Sequence, residues 1–432
     1  MPDHLRTVSI ASYPAAGMKV GTMRFLTIKV NGKFARRGGE ASTDTIDAHP
    51  SGGWPKTLEM ALNEMTKDMS GMAAARGWLA YVGCRTTAAR NAQGKGLSVY
   101  AVDAASGAWQ LKQVVEGLTN PSFLTLNRAQ DRLYAVHGDF AEVSSFTVDA
   151  ADGTLRLLNR QPCGGINPVH LELSLDEREL VIANYATGTL AVLGVGDDGA
   201  LGPVRQLVGM PGMPGPHRIE QGTAHPHHAP RFANGGGATA WHIVPDKGLD
   251  AVFAVRFGAS PADASIQRFQ SRESAGPRHV AFHPGAALLY VANELDSTVT
   301  TLSFDAGTGS LACVGHVSTL PPAYSGPNRV AGIVMHPSGR MLYVSNRGHD
   351  SVACVPVDGH GNAGAPVAFA PALGAFPRFI TLTPDGRRLL VANERSHAIV
   401  SRALDAATLL PRAEATVIDT GSPVCVVFGD AR

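Results

Sequence analysis

Cysteine is scarce in this sequence, with five residues in 432, and no two of them form a Cys-x-x-Cys pair. An odd number without paired spacing does not indicate a disulfide framework or a zinc site. We therefore interpret the cysteines as reduced residues of the core or of loops, which suits a cytoplasmic protein. They are Cys84, Cys163, Cys313, Cys354 and Cys425.

Long apolar runs and an excess of one charge are also missing. No stretch of eighteen apolar residues is present, and the N-terminus lacks a basic segment followed by an apolar one. Neither a transmembrane helix nor a secretory signal is therefore expected. The formal net charge is +1, and no basic run alternates with aromatic residues. We expect no nucleic-acid partner and no membrane partner.

The short motifs of several enzyme classes are absent as well. The sequence contains no Gly-x-Ser-x-Gly, no Walker loop and no His-Glu-x-x-His. These absences argue against a serine-hydrolase elbow, a P-loop nucleotide site and a zinc-protease site. No cofactor is expected.

Glycine and proline, by contrast, are abundant, with 48 and 28 residues, and they punctuate a repeated pattern. The pattern is an apolar strand, a turn with proline and with glycine or aspartate, and a second apolar strand that ends in asparagine. Its side chains alternate with a period of two, which is typical of β-strands. The clear copies end at Asn184, Asn293, Asn346 and Asn393.

Relaxing the identity of the final residue extends the pattern to seven units. The intervals between them are 47 to 62 residues, and four short antiparallel strands with their turns need about 40 to 50. The sequence therefore predicts an all-β fold: a seven-bladed β-propeller with four antiparallel strands per blade, closed by the C-terminal strand at 424–428. The seven final positions are Gly83, His137, Asn184, Asp246, Asn293, Asn346 and Asn393.

Residues 1–76 precede the first unit and are predicted to be a separate N-terminal extension. Apolar residues recur there at three- and four-residue spacing from Leu58 to Met72, which predicts one short amphipathic helix. We expect the extension to be partly disordered or to pack this helix on the propeller, with a partner-binding helix as the alternative. The propeller domain is expected to span 77–432.

The ends of the blades predict a charged rim around the central channel. The first two strands of a blade are antiparallel, so the residue entering the first and the residue leaving the second lie at the same end. The entering residues include Arg278 and Arg378. Such a concentration of charge points to a functional site, although a structural ion pair between Glu294 and Arg278 is the alternative. The leaving residues are Cys84, Gly138, Tyr185, Lys247, Glu294, Arg347 and Glu394.

A group of histidines enters the fourth unit at the same rim. His225, His227 and His228 lie within a glycine- and proline-rich insertion over 210–237. Neighbouring strand residues point to opposite faces, so His227 and His228 are not expected to hold one metal ion. We favour a metal-free acid/base role for these histidines over a metal site. The insertion is expected to be either a lid or a surface loop.

Eight short motifs follow one another along the chain: Asn167-Pro168-Val169-His170, Ala183-Asn184-Tyr185, His225-Pro226-His227, Pro245-Asp246, Gly276-Pro277-Arg278-His279, Asn293-Glu294-Leu295, Ser345-Asn346-Arg347-Gly348-His349-Asp350-Ser351 and Pro377-Arg378. In this order they resemble the seven-bladed lactonase family, which includes bacterial 6-phosphogluconolactonase of the propeller type and the fungal 3-carboxy-cis,cis-muconate lactonizing enzyme. The resemblance covers about 78–430 and implies that His227, Arg278, Glu294 and Arg347 form the active site.

The resemblance implies metal-independent hydrolysis of a sugar lactone, namely 6-phosphogluconolactone or a related aldonolactone. Lactone opening needs a base for water, a donor for the developing oxyanion and a grip on the rest of the substrate. Glu294 or His227 is the expected base, and Arg278 and Arg347 are expected to hold the anionic groups. Further substrate contacts are expected from His225, Arg378, Tyr185 and His170.

Two other functions remain open on the sequence alone. Reversible lactonization of a carboxymuconate would use the same acid/base and arginine set. A non-catalytic propeller that serves as a binding scaffold is the second alternative, because one fold hosts many functions. The expected partner is a small-molecule lactone, and the expected state is a cytoplasmic monomer or weak homo-oligomer.

Overall fold

The computed structural model describes residues 77–234 and 237–431, together with the backbone of three strands before residue 77. The chain divides into two units, Met1–Ala74 and Ala75–Arg432. The helix predicted over 58–72 lies outside the described residues. In the first unit the three strands form one antiparallel sheet, which was not predicted from the sequence. Its order is β1 (Arg6–Ala11), β2 (Phe25–Val30) and β3 (Phe34–Gly38).

The second unit contains seven four-stranded antiparallel sheets, which confirms the predicted seven-bladed β-propeller. In chain order its strands are β4 (Trp78–Cys84), β5 (Gly96–Val102), β6 (Trp109–Glu116), β7 (Pro121–Leu126), β8 (Arg132–His137), β9 (Glu142–Val148), β10 (Leu155–Pro162), β11 (Pro168–Leu173), β12 (Glu179–Asn184), β13 (Thr189–Val195), β14 (Leu201–Gly209), β15 (Arg231–Asn234), β16 (Gly237–Asp246), β17 (Ala251–Arg256), β18 (Ser265–Gln270), β19 (Pro277–Phe282), β20 (Leu288–Asn293), β21 (Thr298–Asp305), β22 (Ser310–Ser318), β23 (Arg329–Met335), β24 (Met341–Arg347), β25 (Ser351–Pro356), β26 (Ala368–Pro371), β27 (Pro377–Leu382), β28 (Arg388–Asn393), β29 (Ala398–Leu404), β30 (Pro411–Asp419) and β31 (Pro423–Asp430).

Consecutive groups of four strands, from β7–β10 to β27–β30, form blades 2 to 7. Blade 1 is different, because its sheet runs in the order β31-β4-β5-β6. The last strand of the chain therefore pairs antiparallel with the first strand of the propeller and closes the ring, as predicted. Closure gives β4 a partner along an edge that would otherwise be unpaired. The helical residues of the described part are two short 3₁₀ turns, Ala88–Arg90 and Pro261–Asp263.

Burial decreases from the channel to the outer edge of the blades. The second strand of blade 3, β12, buries five of its six residues, whereas the outer strand of blade 1, β6, exposes four of eight. Tyrosines on second strands join neighbouring blades. The Tyr290 hydroxyl donates to the carbonyl of Gly361 (2.8 Å), and the Tyr343 hydroxyl donates to that of Leu409 (2.7 Å). These hydrogen bonds satisfy polar atoms that would otherwise be buried without partners.

In five blades a β-bulge interrupts the innermost strand pair at the residue after a proline. In blade 5, Pro277 pairs with Asn293 and His279 pairs with Ala292, which leaves Arg278 unpaired between them. A bulge of this kind re-aims one side chain of the strand. The corresponding residues are Ser122, Val169, Arg278, Arg378 and Val424.

Blade 4 reaches the same geometry just before β15, in a segment that is not a regular strand. An isolated bridge joins Pro226 to Asp246, in the place that Pro277 and Asn293 occupy in blade 5. His227 therefore stands at the bulge position of blade 4. Its backbone N–H donates to the carbonyl of Pro245 (3.0 Å), which fixes the segment against β16.

Candidate active site

The bulge positions face one cavity at the mouth of the central channel. All five bulged side chains line it, together with His227, so the structure brings together His227, Arg278 and Arg378. The lining residues are Arg85, Ser122, Phe123, Val169, His227, Arg278, His279, Arg378, Phe379 and Val424. Rotational repetition of one bulge thus places several different side chains around one space.

Glu294 lies beside this cavity, and four cations surround its buried carboxylate. Lys247 Nζ lies 3.4 Å and Arg329 Nη1 3.5 Å from Oε1. Arg278 Nε lies 3.0 Å and Arg347 Nη2 3.1 Å from Oε2. The ion pair between Glu294 and Arg278 that the sequence left open is therefore present. It is part of a larger cluster, as a buried charge requires several compensating partners.

The cations around Glu294 determine its protonation state. Burial would raise the pKa of Glu294, but Arg347, Lys247 and Arg278 hold the pKa well below its usual range. The carboxylate is therefore ionised at neutral pH. Because cations already contact both of its oxygens, Glu294 is poorly suited to act as a general base.

Two of the arginines donate hydrogen bonds to β23, the first strand of blade 6. Arg278 Nη1 donates to the carbonyl of Ala331 (2.7 Å), and Arg347 Nη2 donates to that of Val330 (2.9 Å). Among the described residues, the Nε atoms of both arginines have no hydrogen-bond partner. The 3.0 Å contact of Arg278 Nε with Glu294 is thus an ion pair without hydrogen-bond geometry. Both guanidinium groups are held in place and still have donors for a ligand.

Glu220 and Arg329 complete the cluster, and neither was predicted from the sequence. Glu220 lies 2.7 Å from Lys247 and 2.6 Å from Arg329, so these three residues and Glu294 form a closed ring of alternating charges. Arg329 begins β23 and could have been found by the rule for entering residues. Glu220 belongs to the insertion, which has no periodicity to place it. At least this part of the insertion lies at the rim.

His227 is a buried and neutral imidazole. Burial lowers its pKa well below the usual value, and the nearby charge of Arg278 lowers it further. Its ring centroid lies 5.5 Å from that of Tyr185 and 5.1 Å from that of His279. Within the described part of the chain, His227 Nδ1 has no hydrogen-bond partner. A neutral imidazole with a free ring nitrogen can accept a proton.

His225 and Tyr185, two of the predicted substrate contacts, form one wall of the rim. Their rings stack with centroids 4.3 Å apart, and His225 Nδ1 lies 2.9 Å from the Tyr185 carbonyl oxygen. Lys247 Nζ lies 5.5 Å from the centre of the Tyr185 ring. This wall therefore joins the charged cluster through Lys247.

His170, another predicted substrate contact, lies in a layer of aromatic rings. The residues of this layer directly follow the bulge positions along the inner strands. The ring centroid of His170 lies 4.5 Å from that of Phe123 and 4.2 Å from that of His228, which stacks on His279 at 4.5 Å. Phe123 and His279 line the cavity, whereas His170 does not belong to its lining. His228 belongs to this layer, whereas His227 stands at the bulge position of blade 4, and the rings of both contact His279.

Arg85 is a further buried cation that was missed. The final position of the first unit was placed at Gly83. In the structure, however, the pair Pro423–Cys84 of blade 1 corresponds to the pair Pro277–Asn293 of blade 5. The residue that leaves the second strand of blade 1 is therefore Arg85 and not Cys84. Gly83 ends a less regular copy of the pattern, so the one-residue shift could not be seen in the sequence.

The described residues also show where possible metal ligands, apolar helices and cysteines lie. Among them, no group of three or more histidine, cysteine, aspartate or glutamate side chains is arranged to hold a metal ion. No helix in the same part of the chain is long and apolar enough to cross a membrane. All five cysteines are unpaired, and four of them are buried.

The fold and the site together define a class: a propeller whose channel mouth offers fixed cations and a neutral histidine to a small ligand. Comparison with protein families defines the group within this class. The chain belongs to the lactonase family with a seven-bladed β-propeller, whose family model matches residues 79–428.

Individual relatives agree with this assignment. The chain is 28% identical over 364 residues to the 6-phosphogluconolactonase of Bacillus subtilis (strain 168), an alignment of 81% of this chain and 98% of that protein. It is 30% identical over 322 residues to the 6-phosphogluconolactonase of Formosa agariphila, with 71% and 88% covered. Among solved structures, the periplasmic gluconolactonase of Pseudomonas aeruginosa is 26% identical with a TM-score of 0.74, and 82% and 100% of the two chains are covered.

Proposed function

We propose that this chain hydrolyses a sugar lactone, 6-phosphogluconolactone or a related aldonolactone, to the open-chain acid without a metal ion. The observation that carries the proposal is the pair Arg278 and Arg347, which is fixed by Glu294 beside the neutral His227. Membership of the lactonase family and the names of the relatives support the same reaction.

In the proposed reaction, His227 acts as the general base. It takes a proton from water as the water oxygen attacks the lactone carbonyl carbon. The carbonyl oxygen becomes an oxyanion, and the C–O bond to the ring oxygen then breaks. The imidazolium of His227 returns its proton to that ring oxygen, which leaves as a hydroxyl group of the product acid. One water is consumed and the protons balance.

Arg278 and Arg347 are proposed to stabilise the oxyanion. Each guanidinium is held by a backbone carbonyl and by Glu294, so it does not have to reorganise as charge develops on the substrate. Preorganised donors of this kind commonly contribute about 10²–10³ in rate. Glu294 takes the role of a positioning residue, because cations contact both of its oxygens.

His225 and Tyr185 are proposed to contact the sugar ring from the wall beside Lys247. Stacked aromatic rings offer an apolar face, and the wall adjoins the cations that would hold the oxyanion. His170 lies one layer further in, so any contribution from it would pass through Phe123 or His228.

Metal independence follows in this proposal from the donor set. Two guanidinium groups supply the positive charge that a metal ion would otherwise bring to the oxyanion. The described residues contain no group arranged as metal ligands. We propose that chelation leaves the activity intact.

A panel of substrates tests the reaction type. Purified protein treated with a chelator is mixed with 6-phosphogluconolactone, gluconolactone and 3-carboxymuconate, and the spontaneous rate is subtracted from each. Acid release from a sugar lactone above the spontaneous rate supports the proposal. Turnover of the muconate alone would assign the chain to lactonization. No turnover of any substrate, with the fold intact, would favour a binding scaffold.

Location and assembly are proposed as the cytoplasm and a monomer or weak homo-oligomer. The unpaired cysteines support a reducing compartment. A similar protein is named as periplasmic, so the test is fractionation of the cells that make the chain, with light scattering for the mass. Recovery in the periplasmic fraction, or a stable larger assembly, would overturn this proposal.

A further inference from the structure

A second charged group lies across the channel mouth from Glu294. Blades 4 to 6 supply the cluster around Glu294, whereas blades 7, 1 and 2 supply Arg378, Glu394, Arg85 and Asp139. The two groups share one cavity, since Arg85 and Arg378 line it together with His227 and Arg278. A ligand whose carbonyl lies at Arg278 would therefore extend towards Arg85 and Arg378.

Arg85 is held in this position by its neighbours and is only 2% exposed. Its Nη1 lies 3.3 Å from Asp139, and its Nε lies 4.0 Å from Glu394. Gly138 makes room for the guanidinium, because a Cβ added there would lie 2.4 Å from Arg85 Nη1. Among the described residues, Arg85 Nε has no hydrogen-bond partner. Arg85 is therefore a buried cation with a free donor, and it belongs to the lining of the cavity.

Arg378 flanks the same carboxylate from blade 7. It is the bulged residue of β27, and its Nε lies 3.6 Å from Glu394 Oε2. That oxygen has no hydrogen-bond partner within the described part of the chain. The two arginines thus stand on either side of Glu394 in loose ion pairs, and their donors are not saturated. Burial, and then the charge of Arg378, lower the pKa of Arg85 to about 10, so it is still a cation at neutral pH.

We propose that Arg85 and Arg378 form a subsite for the phosphate group of a phosphorylated sugar lactone whose carbonyl lies at Arg278 and Arg347. This assignment rests on the proposed function, and it gives the site its preference among lactones. Two guanidinium forks match the oxygen geometry of a phosphate, whereas Glu394 and Asp139 alone would repel it. The subsite makes the cavity two-ended, with the reactive carbonyl at one end and the phosphate at the other.

Substrate preference tests the subsite. The ratio of kcat/KM for 6-phosphogluconolactone to that for gluconolactone is measured for the wild type and for Arg85→Gln. Loss of a charged donor to a phosphate is expected to lower this ratio by about 10- to 100-fold. Arg387→Gln is the matched control, because Arg387 is an exposed arginine of the same blade as Arg378 and is expected to leave the ratio unchanged. An unchanged ratio in Arg85→Gln would overturn the proposal.

Two further variants keep the test decisive if Arg85→Gln folds poorly. Arg378→Gln removes the more exposed arginine and is expected to lower the ratio in the same direction. The double variant Arg85→Gln/Glu394→Gln keeps the local charge balance and is expected to do the same. Circular dichroism and the melting temperature show that each variant is folded. Equal losses on both lactones in all folded variants would show a structural role only and contradict the subsite.

Binding of the products separates this proposal from the proposed function. If the wild type hydrolyses neither lactone, the reaction is wrong, but the subsite is still tested by titrating 6-phosphogluconate and gluconate into the protein. The subsite predicts that 6-phosphogluconate binds at least about tenfold more tightly, and that Arg85→Gln removes the difference. Equal affinity in the wild type would overturn the subsite, whatever the reaction.

Discussion

His227 and Glu294 were both candidates for the base in the sequence, and in the structure they differ in their partners. Cations contact both oxygens of Glu294, whereas His227 Nδ1 has no hydrogen-bond partner among the described residues. The pKa of His227 is lowered well below its usual value by burial, so the imidazole is neutral throughout the physiological range. We predict that kcat/KM for the lactone is flat between pH 7.5 and 5.5. A base with the ordinary pKa of about 6.5 would lose about tenfold over this range.

A series of initial rates at constant ionic strength gives this profile. A tenfold fall towards pH 5.5 would contradict the assignment of His227. A fall centred near pH 7 would point instead to Asp246, whose pKa burial raises to about 7 and whose carboxylate accepts the N–H of His225.

Glu294 is predicted to matter for stability more than a surface carboxylate does. In Glu294→Gln, the buried Arg278, Arg347 and Lys247 lose the charge that compensates them. Breaking one partner of a buried ion pair costs about 3–5 kcal/mol of unfolding free energy. Urea unfolding measures the change, and Glu220→Gln, at a more exposed member of the same ring, is expected to cost less. Equal and small effects in both variants would show that the cluster does not stabilise the fold.

The innermost strands carry both the charged mouth and the histidine layer, and the sequence predicted only the first. The repeated pattern that ends in asparagine predicted that Arg278, Glu294 and Arg347 lie at the rim, because all three occupy fixed positions in the repeat. A proline precedes the bulged residue in five blades, but the bulged side chains share no chemistry, since they include Val169 as well as Arg378. Contacts made by the insertion, such as that of Glu220, depend on tertiary packing and could not be predicted from local pattern.

The histidine layer predicts loss of stability in acid. Burial lowers the pKa of His228 to about 3, whereas the unfolded chain has the ordinary value near 6.5. Between these values the unfolded state binds a proton that the native state does not, so the unfolding free energy falls as the pH falls. The slope for one such histidine is at most about 1.4 kcal/mol per pH unit.

Replacing His228 by phenylalanine tests this layer. The variant is expected to have a smaller decrease of unfolding free energy between pH 6 and 4 than the wild type, even if it is less stable at pH 7. The lower baseline would arise because the Val280 N–H loses its acceptor at His228 Nδ1. Denaturant unfolding at each pH measures the slope, and the exposed His360→Phe is the control. Identical slopes for the wild type and His228→Phe would contradict the prediction.

At the scale of the whole molecule, the ring depends on its last strand. β31 buries Val424, Cys425 and Val426 against β4. Each buried apolar side chain contributes about 1.5–3 kcal/mol, and the stability of a domain is about 5–15 kcal/mol. Deleting 423–432 is therefore predicted to abolish cooperative folding at 25 °C. Soluble yield and a thermal melt measure the effect.

Cooperative melting of the 423–432 deletion within a few degrees of the wild type would contradict ring closure as the source of stability. The number of blades, their four strands and this closure were predictable from the sequence because they follow from a repeat of nearly constant length. The three-stranded sheet of the first unit was not predicted, because Arg6–Ala11, Phe25–Val30 and Phe34–Gly38 lie outside the repeat, although Leu26-Thr27-Ile28-Lys29-Val30 alternates between apolar and polar residues.

We propose that two fixed arginines drive lactone hydrolysis without a metal ion. The most direct measurement is the rate of acid release from 6-phosphogluconolactone above the spontaneous rate, with a chelator present, for the wild type and Arg347→Ala. We predict turnover that resists the chelator and falls by about 10²–10³ in a folded Arg347→Ala protein. Loss of wild-type activity on chelation, or an unchanged rate in Arg347→Ala, would contradict the proposal.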